Sequence, residues 1–200
     1  EAAGAVPVLV DVDPFSYSLN PGHLESVTSD KTKAVVAVHL YGQSVALGEI
    51  QSFCQQNKLE LIEDVSQAHG ARWGRQRLGS IGRVACFSCY PTKNLGALGD
   101  AGLITTNDLE LGKRIRVMRE YGWEERYVSS VAGRNSRLDE LQAAILRIKL
   151  RCLDENNEKR RQIARFYSKE LESTSLTLPR ENSHQIDHVF HLYVVKAKER

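Results

Sequence analysis

The sequence predicts an α/β fold built on a mainly parallel sheet with helices on both faces. Three observations carry that reading. Short apolar runs rich in β-branched residues recur at "KAVVAVHLYG" (33–42), "LELIEDV" (59–65), "VACFSCY" (84–90) and "GLITTND" (102–108). A stretch of helical periodicity, "LGEIQSFCQQNK" (47–58), separates the first two. The run at 33–42 is apolar at successive positions, the pattern of a strand covered on both faces. Strands alternating with helices of this length form parallel crossover units.

Taken in order, "PVLVDVD" (7–13) is a strand candidate ending in acidic residues, and "NPGHLESV" (20–27) starts a short helix. In the 47–58 segment Leu47, Ile50, Phe53 and Cys54 share one helical face. Asp108 is the N-cap candidate of "DLELGKRIRVMREYG", with a glycine stop at Gly122. A loop, "VAGRNSRLDE", leads into a very long helical pattern whose Leu138, Leu141, Ile145, Ile148 and Cys152 lie on one stripe and which continues through "NNEKRRQIARFYSKEL". Such a stripe marks core or subunit contact. "TLPRENSHQ" (177–185) reads as a loop and "HVFHLYVVKAK" (188–198) as a further strand. No internal repeat or low-complexity segment is visible.

The bulk numbers exclude several classes. Two hundred residues with 42% hydrophobic and 26% charged content describe a globular chain able to bury a substantial core. A net charge of +2, with basic residues interleaved among acids, gives no footprint for nucleic acid. No apolar stretch is long enough for a membrane-spanning helix. Four scattered cysteines (Cys54, Cys86, Cys89, Cys152) suit a reducing, cytoplasmic compartment better than a disulfide framework. Cys86 and Cys89 form a C-x-x-C, but a zinc site needs a second ligand pair and His184, His188 and His191 lie far along the chain. A redox motif would open a helix, whereas this one is embedded in a strand, so the two thiols read as buried structural groups and no metal is expected.

The candidate site lies at strand ends, where parallel sheets bind ligands. Asp64 ends one strand. After another comes "PTKNLGALGDAG", which sets Lys93 in a glycine-rich turn. A lysine there can be a solvated turn residue, a phosphate ligand helped by exposed backbone N–H groups, or an amine nucleophile that forms a Schiff base. The phosphate reading lacks a P-loop, since "GALGDAG" has no Gly-Lys-Ser/Thr and no G-x-G-x-x-G. The Schiff-base reading calls for a carboxylate to hold a pyridinium nitrogen, and "IEDVSQAHG" offers Asp64 with Gln67 three residues on.

Two ordered blocks, "IEDVSQAHGARWGRQRLGSIGRVACFSCYPTKNLGALGDAGLITTND" and "GRNSRLDELQAAILRIKL", resemble the DegT family of pyridoxal-phosphate (PLP) sugar aminotransferases. The resemblance covers nearly the whole chain. It implies the three-layer large domain of fold type I PLP enzymes over residues 1–155, then a linking helix and the start of a smaller C-terminal domain over 156–200. It further implies that Lys93 forms the internal aldimine with PLP and shuttles the proton, and that Asp64 pairs with the pyridinium nitrogen. Gln67 matches the residue at the cofactor's 3-hydroxyl, Ser66 lies against the ring, and Ser88 donates to the phosphate. Asn135 reaches that phosphate from the neighbouring subunit, so a homodimer with shared sites is expected. Taken singly, each of these residues has an ordinary reading as cap, turn former or surface amide; their joint order around Lys93 carries the assignment. His39, His69, Trp73 and Trp123 either line the pocket or fill satisfied structural roles, and the second is expected.

The resemblance implies L-glutamate as amino donor and a nucleotide-linked keto-deoxysugar as acceptor. Ser136 after the asparagine points to dTDP-linked 3-keto-6-deoxy sugars, and Arg134 and Arg137 either meet the diphosphate or pair with nearby acids. Two alternatives remain. One is a PLP-dependent deoxysugar dehydratase, though those that resemble this family carry histidine in place of the lysine. The other is a non-catalytic regulatory protein that retains the fold. Family members carry an upstream phosphate-gripping and ring-stacking segment, so the chain is expected to be an internal piece of a longer enzyme.

Overall fold

The computed structural model describes residues 3–180 and 186–198. After a 3-10 turn at Pro21–His23 and a single helical turn α1 (Leu24–Val27) come strand β1 (Ala34–Val38), helix α2 (Leu47–Asn57) and strand β2 (Glu60–Asp64). A short pair, β3 (Arg72–Trp73) and β4 (Gln76–Arg77), precedes β5 (Val84–Ser88) and β6 (Gly102–Thr105). Helix α3 (Leu109–Met118), the hairpin β7 (Trp123–Glu125) and β8 (Val128–Ser129), helices α4 (Glu140–Leu150) and α5 (Leu153–Leu171), and β9 (Ile186–Asp187) complete the order.

The main sheet has the order β1-β2-β5-β6. β1–β2 and β2–β5 are parallel, while β6 closes the edge antiparallel to β5. The fold is therefore α/β with a mixed, mostly parallel sheet. Register places Val38, Asp64, Cys86 and Ile104 in one cross-strand row. Side chains alternate along strands, so Val36, Val38, Cys86 and Ile104 crowd one face while Val35, Ala37, Leu61 and Ala85 point to the other. The second set is buried against Leu47, Ile50 and Cys54 of α2, forming the main core with Val45, Val65, Ala68 and Val189. The first set is exposed, so among the described residues β1 is covered on one face, not two. The expectation of two buried structural thiols holds for Cys89, which like Cys54 is buried and free, but not for Cys86, which is free and exposed because it lies on the uncovered sheet face.

Helix limits follow local chemistry. The Asp108 carboxylate accepts hydrogen bonds from the Glu110 and Leu111 N–H groups and starts α3. The chain then leaves α3 through a tight crossing in which Gly122, at φ 76°, lies so close to the Val131 carbonyl that no Cβ fits.

Three elements differ from the sequence reading. Residues 7–13 form no strand: Val6, Val8 and Leu9 are exposed, and only Val12 makes an isolated bridge, to Leu19. With no sheet edge beside it, the backbone of Asp11 and Asp13 bonds locally instead, to Asn20, Tyr17 and Ser18. The long helix is two, broken at Arg151 and Cys152, and its buried positions are Leu146, Leu153, Asn157 and Ala164. Leu141 and Ile148 of the expected stripe are exposed. Finally, 188–198 is not a continuous strand. The pairing ends at Asp187, Phe190 has φ 44°, and Lys196 bridges Thr177 alone. Of the loop read at 177–185, residues 181–185 lie outside the described residues.

Candidate active site

The turn that carries Lys93 is built from the end of β5 outward. Cys89, fully buried, donates its N–H to the Ala101 carbonyl (2.8 Å) and accepts the Ala97 N–H at its own carbonyl (2.8 Å). Residues 90–96 are thereby closed into a loop, inside which the Lys93 N–H donates to the Tyr90 carbonyl (2.9 Å). Gly96 folds back on this loop so tightly that a Cβ would collide with the Pro91 carbonyl. Leu95 and Ala97 plug into a second core cluster with Cys89, Leu146 of α4 and Leu153 of α5. Helix α4 adds polar ties: Lys149 Nζ donates to the Gly96 carbonyl (2.6 Å), and Gln142 Oε1 accepts the Leu98 N–H (2.9 Å). The lysine sits on a rigid, anchored turn.

Lys93 lines a cleft of about 570 Å³ together with Ser88, Tyr90, Thr92, Asp100, Ala101 and Arg137. That volume is in the range of small-molecule sites. The Ser88 hydroxyl accepts the Tyr90 N–H weakly (3.4 Å) and keeps its own proton to donate.

Asp64, Ser66 and Gln67 lie at the neighbouring strand end and are not part of the cleft lining. Asp64 ends β2 in register with Cys86, two residues before Ser88, so Asp64 and Ser88 project from the same face of the sheet. Asp64 Oδ1 accepts the Ser66 N–H (2.9 Å), which fixes the carboxylate against its own turn. Gln67 Oε1 accepts the Tyr41 N–H (2.8 Å), leaving the amide NH2 as its donor. Asn135 is exposed and stands outside the cleft, bridging Glu120 and accepting from Arg137 Nε (3.1 Å). Of the six residues singled out from sequence, the structure thus brings Lys93 and Ser88 into one cleft, sets Asp64, Ser66 and Gln67 beside it, and leaves Asn135 apart.

Sequence reasoning missed Asp100, Tyr90 and Thr92 as lining residues; their only signal was position within the glycine-rich turn. It also missed the groups beneath the site. Glu63, fully buried on the covered face of β2, accepts the N–H groups of Gly79 (2.8 Å), Ile81 (2.9 Å) and Gly82 (2.7 Å). His39 Nε2 lies 3.2 Å from its Oε2. Burial pushes the Glu63 carboxyl up, but the His39 contact and the three backbone donors outweigh it and hold it below the usual carboxylate range. His39 is therefore structural, as expected. His69 is 1% exposed with no hydrogen-bond partner of ordinary geometry at either ring nitrogen. Burial lowers its pKa to about 4; the nearby Ser88 carbonyl opposes this, and the charges of His191 and Lys93 add to it. Among the described residues no cluster of His, Cys, Asp and Glu is arranged to hold a metal ion, and no helix is long and apolar enough to cross a membrane.

Comparison with known proteins gives concordant results. The DegT/DnrJ/EryC1/StrS aminotransferase family matches residues 1–200. A dTDP-3-amino-3,6-dideoxy-alpha-D-galactopyranose transaminase of Aneurinibacillus thermoaerophilus is 49% identical over 199 residues, covering 100% of this chain and 54% of that protein. A pleiotropic regulatory protein of Geobacillus stearothermophilus is 43% identical over 201 residues, covering 99% of this chain and 54% of the relative. The crystal structure of Streptomyces venezuelae DesV in complex with a ketimine intermediate superposes with a TM-score of 0.95 at 40% identity, covering 100% of this chain and 54% of that one. The chain thus spans about half the length of the relatives it matches.

Proposed function

The chain belongs to the DegT/DnrJ/EryC1/StrS aminotransferase family, and on that premise we propose that it carries the lysine-bearing core of a PLP-dependent enzyme that moves an amino group from L-glutamate to a nucleotide-linked keto-deoxysugar. The observation that carries this reading is the Lys93 turn, an amine on an anchored loop sharing one cleft with the Ser88 hydroxyl and the Arg137 guanidinium.

The donor set suits PLP. Lys93 supplies a primary amine for the cofactor's carbonyl carbon. The Ser88 hydroxyl keeps its proton to donate to a phosphate oxygen. Asp64, on the same sheet face, offers a carboxylate for the ring nitrogen. The Gln67 NH2, oriented by Tyr41, would donate to the 3-hydroxyl oxygen, and Ser66 would lie against the ring. What the cofactor supplies when bound is an electron sink for the pair left behind as the amine-bearing carbon loses its proton. Lys93 Nζ takes up that proton and returns it to the acceptor carbon, acting as base and acid in turn. The anchored turn keeps Nζ within reach in both steps, which is how positioning lowers a barrier.

Asn135 stands outside its own chain's cleft, which supports a homodimer in which each subunit lends this residue to its partner's site. Four free thiols support a cytoplasmic setting. For the acceptor we favour a dTDP-linked 3-keto-6-deoxyhexose. Support comes from the small Ser136 after Asn135 and from the 49% identical relative, a dTDP-3-amino-sugar transaminase. Arg137 lines the cleft, where its guanidinium fork suits diphosphate oxygens.

The 43% identical pleiotropic regulatory protein favours one second reading, a regulator that binds the cofactor without turnover. The test is to load full-length protein with PLP and add L-glutamate, then a dTDP-linked keto sugar. A visible absorption band bleached by glutamate and restored by the sugar supports the enzyme, and NMR of the product locates the amine at C3. A band indifferent to glutamate supports the regulator. Amination only at C4 overturns the acceptor assignment.

A further inference from the structure

We infer that Asn94 and Asn157, joined by His191, form a side-chain clamp that sets the position of Lys93, so that both asparagines are positioning residues for the amine. The inference rests on the reading of Lys93 as the reactive amine.

The clamp starts one residue past the lysine. Asn94 Nδ2 donates to Asn157 Oδ1 (2.9 Å) and to the Val189 carbonyl (3.1 Å). Both amide hydrogens are used, so the amide has one orientation and its Oδ1 is left to accept. His191 Nδ1 lies 3.1 Å from that oxygen. An oxygen without hydrogen needs a donor, which fixes the proton of His191 on Nδ1. Asn157 then passes the connection on: its Nδ2 donates to the His69 carbonyl (2.9 Å). Two amides therefore tie together the turn that carries Lys93, the segment after β2, helix α5 and residues 189–191.

Asn157 is an expensive residue for this place. It is 1% exposed on α5, between the buried Leu153 and Ala164, where an apolar side chain would pack without needing partners. The chain also makes room for it. Gly70 has φ 84°, and a Cβ there would stand 2.8 Å from Asn157 Nδ2. Any other residue at position 70 would push the amide away from the His69 carbonyl. A satisfied buried polar network of this kind specifies one arrangement of the groups it joins. Here that arrangement includes the backbone on which Lys93 stands. Without the clamp, the loop from residue 90 to 96 keeps its apolar anchor at Leu95 and its backbone closure, but Asn94, next to Lys93, loses its side-chain ties to α5 and to residues 189–191.

The test uses full-length holoenzyme carrying Asn157→Leu or Asn94→Asp, each close in size to the residue replaced. Three quantities are measured: the thermal midpoint, the pH midpoint of the visible band of bound cofactor, and kcat and KM for glutamate. Positioning predicts a moved pH midpoint and a fall in kcat of roughly tenfold or more, with KM for glutamate little changed. A merely structural role lowers the thermal midpoint and leaves the band and kcat as in wild type, and that result in both variants overturns the inference. If Asn157→Leu does not fold, Asn94→Asp decides alone. If neither folds, a crystal structure of the wild-type holoenzyme decides, and Asn94 and Asn157 beyond hydrogen-bonding distance overturns the clamp. A wild-type protein that forms no borohydride-fixable band contradicts the functional reading itself, an outcome distinct from an unshifted band in the variants.

Discussion

Replacing His69 by leucine should flatten the acid dependence of stability. His69 is 1% exposed and His188 3% exposed, and each has a pKa lowered from 6.5 to about 4, chiefly by burial. Below pH 6.5 the imidazoles of the unfolded chain take up protons, while those of the folded chain stay neutral until about pH 4. Stability is therefore fully present above the unfolded value and lost as pH falls from there towards the folded one. Between pH 7 and pH 5 each fully buried imidazole of this kind contributes a loss of about 2 kcal/mol, so the pair contributes about 4. His191 is also lowered to about 4, by burial first and then by Lys93 and Arg160, but it is only half-buried and solvent screening discounts its share. Glu63 is depressed below 4.5, so its contribution is lost at lower pH and stays out of this window. The assay is urea unfolding of wild type and His69→Leu at pH 7 and pH 5. The loss on acidification should be smaller in the variant by about 2 kcal/mol. At pH 7 the variant should be as stable as wild type or more so, because neither ring nitrogen makes a hydrogen bond of ordinary geometry that leucine would forfeit. An equal loss in both proteins would show that His69 is not buried neutral, and the reasoning would fail.

Two further outcomes are expected. Glu63→Gln removes the charge on which three backbone N–H groups and His39 converge, and should destabilise by about 3 kcal/mol at pH 7; a thermal midpoint within a degree of wild type would count against that role. In mixed dimers of full-length Lys93→Ala and Asn135→Ala subunits, one site in two regains both residues if the sites are shared, so activity absent from either parent should appear. Verified heterodimers without activity would remove Asn135 from the partner's site.

How much of this was legible in the sequence depends on whether the signal was local. The strands at 34–38, 60–64 and 84–88 and helix α2 announced themselves by periodicity, and α3 by its Asp108 cap. Periodicity cannot say whether an edge is available to pair with, so residues 7–13 and 188–198 read as strands they do not form. Nor could it choose the buried face of α4: Leu146 and Leu141 are equally apolar, and only the position of Leu95 and Cys89 decides for Leu146. Cys86 read as a buried thiol because it is embedded in an apolar strand, yet it is exposed. Lys93, Asp64 and Gln67 drew attention through their motif. Glu63, His39, Asn94 and Asn157 were not, since a lone glutamate or asparagine gives no sign of what it will meet. Partners 16 to 97 residues away in the chain supply their meaning.

The central claim is that Lys93 is the amine that engages the cofactor, and one measurement addresses it directly. Full-length protein is loaded with PLP, reduced with borohydride, digested, and the labelled peptide sequenced by mass spectrometry. The account predicts a single label on Lys93, within the peptide that contains "YPTKNL". A label on Lys149, whose ammonium group touches the same turn at the Gly96 carbonyl, or no covalent label at all, would contradict it.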